Sequence, residues 1–96
     1  VVPTQTWKGK ELVVDNYRNA DKEMLECDIT IDDVIWVMEN GSEVKKRKKG
    51  FTEKWCHRGK HILIVMVEDR VEYWLIGHVG KIKATKDKMK ILRGGK

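Results

Sequence analysis

The periodicity of this chain changes once, at Asn40-Gly41, and that change limits its fold more than any other feature. Before it, apolar side chains recur every three or four residues. After it, they recur every two. In TIDDVIWVMENG, Ile31, Val34, Ile35 and Met38 follow the i, i+3, i+4, i+7 spacing of one helical face. Thr30 is a good N-cap, and Asp32 and Asp33 stand in the first turn, where the positive end of a helix favours carboxylates. Asp33 also follows Thr30 at capping-box spacing. Upstream, Val13, Tyr17, Ala20, Met24 and Cys27 form a second helical stripe, entered through a short strand or turn, with Asp15 or Asn16 as its expected cap. Residues 1–10, which contain Pro3 and Gly9, read as irregular.

Downstream, Phe51, Glu53, Trp55 and His57 alternate with Thr52, Lys54, Cys56 and Arg58. Residues 43–48 read as an exposed edge strand or loop, and Arg58-Gly59-Lys60 as a hairpin turn. His61 to Val67 reads as a central strand covered on both faces. Glu68-Asp69-Arg70 reads as a second turn. Val71 to Val79 follows as a strand that Gly80 breaks or bulges before Lys81 to Ala84 continue it. The tail after Thr85 reads as a helical turn that frays at residues 93–96. The expected fold is α+β, a single domain over residues 1–96. Two N-terminal helices pack on one face of an antiparallel sheet of about four strands. The other face is left for a ligand, a dimer partner or solvent. A length of 96 residues allows one modest core.

Composition excludes several classes. No apolar run approaches the ~20 residues of a membrane helix. Cys27 and Cys56 are too few for a disulfide scaffold and are expected to be free thiols in a reducing, cytoplasmic compartment. No signal peptide is read at the start, where Val1 is not a natural initiator. No Cys-x-x-Cys or His-Glu-x-x-His spacing occurs, so neither metal nor cofactor is expected.

Charge is divided unevenly. Residues 1–40 carry 4 Lys/Arg and 9 Asp/Glu, and residues 41–96 carry 16 and 6, a net −5 followed by a net +10. Such a molecule has an acidic and a basic side, and the basic side attracts a polyanion. Lys45-Lys46-Arg47-Lys48-Lys49 is the densest cationic run. It is suited to phosphate contact, with Phe51 and Trp55 following as stacking surfaces. Equally, lysines protect an edge strand from aggregation. Lys54, Arg58 and Lys60 extend the basic set. Trp36 and Trp74 fall off the main stripes and read as cover for a second surface, or as ordinary core.

RNA cleavage without a metal needs a group to take the 2′-OH proton, a group to protonate the leaving 5′-oxygen, and a cation beside the phosphate. Imidazole suits the proton transfers. His57, His61 and His78 all lie in the basic half, and Tyr73 is a further hydroxyl donor. Each also has an ordinary structural reading as a strand end or a hydrogen-bonded side chain. Cys56 and His57 are neighbours on a strand, so they point to opposite faces and do not form a nucleophile pair.

The segment ADKEMLECDITIDDVIWVMENG is similar to the opening of a family of small domains, HA-x-x-R-M-x-x-R-x-I-[ST]-x-x-x-V-x-x-x-L-x-x-G. That family is grouped with the RelE-like toxins and the barnase–EndoU–colicin–RelE (BECR) ribonucleases. Ala20, Met24, Ile29, Thr30, Val34 and Gly41 fall on the pattern. The resemblance implies an RNA-binding domain, a metal-independent endoribonuclease activity and an antitoxin peptide as protein partner. The pattern's His falls on Asn19 here and its two Arg on Glu23 and Cys27, which moves the expectation from catalysis toward binding. The competing expectation is a non-catalytic interaction module that docks a protein or a second copy through its open sheet face.

Overall fold

The computed structural model describes residues 6–15, 19–44 and 49–93. Among them are three helices and one six-stranded sheet. In chain order these are β1 (Thr6–Trp7), β2 (Lys10–Val14), α1 (Ala20–Glu26), α2 (Ile31–Asn40) and β3 (Ser42–Glu43). There follow β4 (Phe51–Arg58), β5 (His61–Asp69), β6 (Tyr73–Lys83) and α3 (Lys86–Leu92). The sheet order is β1-β2-β6-β5-β4-β3. All neighbours are antiparallel except β2 and β6, which are parallel.

The α+β class stands, but the sheet is mixed and larger than the expected four antiparallel strands, and a third helix is added. The opening expected to be irregular folds from Thr6 onward. Lys8 and Gly9, with φ of 51° and 77°, form a two-residue turn between β1 and β2, the backbone shape that suits a tight hairpin. β2 then inserts beside the far end of the chain, pairing Leu12 with Trp74 and Val14 with Ile76. Lys10 reinforces this join through an ion pair to Asp69 and by lying 4.0 Å from the Trp74 ring. The Lys10 bond and the Val71 N–H hold the Asp69 carboxyl below its ordinary value.

Val13 therefore lies in a strand, and of the expected first stripe only Ala20 and Met24 are buried helix residues. Tyr17 and the alternative cap Asn16 lie outside the described residues. The N-cap of α1 is Asn19, in the left-handed region, rather than Asp15. Asp15 continues the β2–β6 ladder by donating its N–H to the Ile76 carbonyl at 3.0 Å. For α2 the expected cap is present in full. Thr30 accepts from the Asp33 N–H, and Asp33 accepts from the Thr30 N–H at 2.9 Å.

Sheet parity decides which side chains meet the helices. Val67, Val65 and Leu63 of β5 share a face with Ile76 and Val79 of β6 and Cys56 of β4. This face meets α1 over β6 and α2 over β4 and β5. Val34, Val37 and Met38 of α2 close the core from above. Each such apolar side chain contributes about 1.5–3 kcal/mol relative to exposure. Trp7 and Trp74 pack at 5.1 Å, so Trp74 serves the core rather than a second surface.

The opposite face is not left open throughout. α3 starts after β6 and packs against β4, so it must cross β5. On the helical side α2 already occupies that path. α3 therefore lies beneath the sheet, where Trp55 (6% exposed) and Ile62 (0%) are buried outside the main core. The expected bulge at Gly80 falls elsewhere. Gly80 stays paired with Ile64, and the extra residue is Gly77, between the Met66–His78 and Val67–Ile76 pairs. The helical turn expected after Thr85 is α3, with the Thr85 hydroxyl accepting the Lys88 N–H at 3.3 Å. Arg93 is its C-cap.

Candidate nucleic-acid interface

The β4–β5 connection is a two-residue turn, with Gly59 at φ 62°. That length fixes Arg58 opposite His61, and the next ladder fixes His61 opposite Lys83. Arg58, His61 and Lys83 thus form one row across three strands. The row lies on the helical side, one step beyond Cys56 and Leu63, where the buried face ends. Lys81, opposite Leu63, stands just inside it.

The link between α1 and α2 hangs over this row. It is a Schellman turn: the Asp28 N–H donates to the Leu25 carbonyl at 3.2 Å and the Ile29 N–H to the Met24 carbonyl at 2.8 Å. Ile29 is buried against Met24's side of the core, while Asp28 adopts φ 55° at the position glycine usually holds. Between link and sheet lies a cleft of about 370 Å³, lined by Asp28, Ile29, Asp33, Arg58, His61, Leu63 and Lys81. Its floor is apolar, and the side chains around it are two carboxylates, two cations and one imidazole.

Arg58 is aimed rather than loose. It donates to Asp33 at 2.6 Å and lies 5.0 Å from the Trp36 ring. Trp36, which the sequence places off the main helical stripe, is the shelf on which this guanidinium rests. Burial pushes the Asp33 carboxyl up, but the Thr30 N–H, Arg58 and the Thr30 hydroxyl outweigh it and hold the carboxyl below its ordinary value. Asp33 consequently joins the cap of α2 to the wall of the cleft. Burial pushes the Cys56 thiol up, against a smaller opposing effect of Arg58.

The three histidines do not converge. His61 lines the cleft. His57 has the opposite strand parity and sits at the hairpin, its Nε2 2.7 Å from the Gly59 carbonyl. His78 lies at the free edge of β6, with Nδ1 3.0 Å from Glu23 Oε2. The other Glu23 oxygen accepts the Val79 N–H at 3.3 Å. Tyr73 begins β6 opposite Glu11, at the other end of the strand from the cleft. Among the cations, Lys54 donates to the Met38 carbonyl at 2.7 Å and so closes the C-terminal end of α2. Lys60 is exposed in the hairpin turn. Lys45, Lys46, Arg47 and Lys48 lie outside the described residues.

Lys81 and Lys83 were not singled out by sequence, and Asp28 was read only with Asp32 and Asp33 as a carboxylate cluster at a helix start, explained by capping before metal binding. The signal that reaches the two lysines is register: once Gly59-Lys60 is read as a two-residue turn, Arg58, His61 and a lysine of the next strand align. Among the described residues no cluster of three or more His, Cys, Asp or Glu side chains is positioned to hold a metal ion, and no helix is long and apolar enough to cross a membrane. No family model, curated protein or solved structure matches the chain. The fold and the cleft therefore define its class on their own: an α+β domain with a mixed sheet whose one end carries a cation-flanked imidazole.

Proposed function

We propose that this chain is a RelE/BECR-like domain that binds RNA at the basic end of its sheet and cleaves it without a metal ion. The observation that carries the reading is that Arg58, His61 and Lys81 line one cleft, with Lys83 next to His61 on the neighbouring strand. A phosphodiester seated between Arg58 and Lys81 has its charge compensated on two sides, and His61 is the imidazole within the same cleft. His61 takes the 2′-OH proton, the 2′-oxygen bonds to phosphorus as the bond from phosphorus to the 5′-oxygen breaks, and the leaving 5′-oxygen takes a proton from water in the cleft. Asp28 is a carboxylate within the same cleft, an acceptor that can orient that water. A peptide antitoxin, on this reading, covers the same cleft.

A second reading draws on a different observation. On the sheet face opposite α1 and α2, Val13 is 38% exposed, and Ile64, Met66 and Leu75 are only half-buried. That stripe is suited to a protein partner or a second copy. Salt separates the two readings. Binding of a mixed-sequence single-stranded RNA should weaken steeply with salt, by about 0.7 logarithmic units per decade for each phosphate neutralised. Arg58→Gln and Lys81→Gln should each reduce that slope. In EDTA, His61→Ala should abolish cleavage, and His57→Ala and His78→Ala should retain it. Retained RNA with no cleavage at any pH from about 5 to 8 would leave a binding domain, the range being that over which imidazole changes charge. No retention even at low salt removes RNA from the account and favours the apolar face.

A further inference from the structure

Resting on that reading of the cleft, we infer that the bound RNA is single-stranded and continues around the end of the sheet onto α3, whose outer side is a second phosphate site. Lys86, Lys90 and Arg93 are spaced i, i+4, i+7 and so lie on one side of α3, spanning about 10 Å along its axis. They line a cleft of about 630 Å³ together with Met89 and Ala84. Both apolar residues are half-buried, and they form the floor between cationic walls. A floor of this kind accepts the flat faces of bases, and a thioether adapts to any of them. Lysine stems add apolar surface while their ammonium groups remain free for phosphate.

The two clefts are neighbours. Lys81 lines the first and Ala84 the second, with exposed Lys83 between them. The Ala84 N–H donates to the Lys60 carbonyl at 2.9 Å, which brings the exposed hairpin lysine to the same junction. Cations therefore follow one another from Arg58 and Lys81 through Lys60 and Lys83 to Lys86, Lys90 and Arg93. Across the same stretch the chain passes from the helical side of the sheet to its underside within Ala84 and Thr85. A strand following these cations turns around the end of a sheet. A duplex, stiff over about 150 base pairs, does not make that turn, whereas a single strand does. Of the acidic first half, Asp28 and Asp33 line the first cleft and none lines the second, so the second is the more attractive to a polyanion.

The experiment is fluorescence polarisation over a salt series, in EDTA, with labelled mixed-sequence RNA offered as a single strand and as a perfect duplex. It uses the whole chain as wild type, as Lys86→Gln/Lys90→Gln/Arg93→Gln and as Arg58→Gln/Lys81→Gln. All five side chains are at the surface, and melting curves verify that each variant folds. The α3 variant should lower the salt slope for single-stranded RNA by about 2, three contacts at about 0.7 each. The duplex should bind more weakly than the single strand and respond little to the α3 substitutions. An unchanged slope in the α3 variant, with binding still weakened by Arg58→Gln/Lys81→Gln, overturns the second site and leaves the proposed function standing. Duplex binding as tight as single-strand binding overturns the path around the sheet. Absence of RNA binding by the wild type overturns both.

Discussion

Replacing Gly41 by alanine tests the closest approach in the fold. Gly41 ends α2 with φ −81° and ψ 173°, a conformation open to any residue. What excludes a side chain is space. A Cβ there would lie 2.5 Å from the Val37 carbonyl oxygen and 2.8 Å from that of Trp55. Both atoms are backbone, so neither can rotate away, and the end of α2 must lift from β4. Overpacking of this kind costs about 1–3 kcal/mol. The lift also strains the 2.7 Å bond from the Gly41 N–H to Val37, worth about 1 kcal/mol. Loss of chain freedom in the unfolded state returns about 0.4–1 kcal/mol. The balance is a destabilisation of about 1–3.5 kcal/mol, a fall in melting temperature of at least about 4 °C for a chain of this size. Gly80→Ala is the control, since its Cβ meets nothing nearer than His78 Nε2 at 3.7 Å. Urea unfolding of both variants measures the difference. Equal midpoints would refute the steric account of Gly41.

Other outcomes follow from single contacts. Cys27 is half-buried and Cys56 is buried with its thiol pushed up, so iodoacetamide followed by mass spectrometry should label Cys27 in the native protein and Cys56 only on unfolding. Asp33 is held below the unfolded carboxylate value of about 3.9, so its contribution is complete above that pH and is lost as pH falls through the folded value. Arg58→Gln should shrink this acid-dependent loss, by at most about 1 kcal/mol for a pair with a half-exposed arginine, as read from melting curves below about pH 5. Lys54→Met leaves the Met38 carbonyl without its donor and should cost about 1 kcal/mol. RNA affinity should be unchanged, which separates Lys54 from the cations of the cleft. Asp28→Gly relieves a left-handed residue and should raise stability by about 0.5 kcal/mol, while lowering any cleavage rate measured in EDTA.

The elements that could be read from sequence are those made by neighbours. Thr30 and Asp33 cap α2 three residues apart, and Gly59-Lys60 turns β4 into β5 with nothing between. β2 could be read only as a short strand or turn, because what makes KELVV a sheet strand is its pairing with Trp74, Leu75 and Ile76, some sixty residues away. The parallel pairing leaves no local mark. α3 was underestimated because its apolar residues are few, and its position beneath Trp55 and Ile62 depends on a sheet already formed. The same division applies to the cleft. Arg58 and His61 were legible as residue types, and so were His57 and His78. Only the ladders tell them apart, sending His57 to the hairpin, His78 to an edge and His61 into a cleft with Lys81 and Asp28.

The residues on which the expected likeness to the RelE-like group rests all serve the fold. Ala20 and Val34 are fully buried, Met24 and Ile29 meet across the Schellman turn, Thr30 caps α2, and Gly41 permits its close approach to β4. Such residues transmit a fold and carry no chemistry. At the three positions where the pattern has His and Arg, this chain has residues with other tasks. Asn19 supplies a left-handed helix start, and Cys27 ends the same helix. Glu23 accepts the Val79 N–H at the free edge of β6 and pairs with His78. An arginine at position 23 would leave that N–H without its acceptor and set a cation against the imidazole in place of a carboxylate. The α1 side of the domain is thus committed to closing the sheet edge. On the proposed reading the reactive groups belong to the opposite wall, where β4, β5 and β6 align Arg58, His61 and Lys83. The proposed chemistry therefore depends on the end of the sheet, while α1 and α2 hold the fold that carries it.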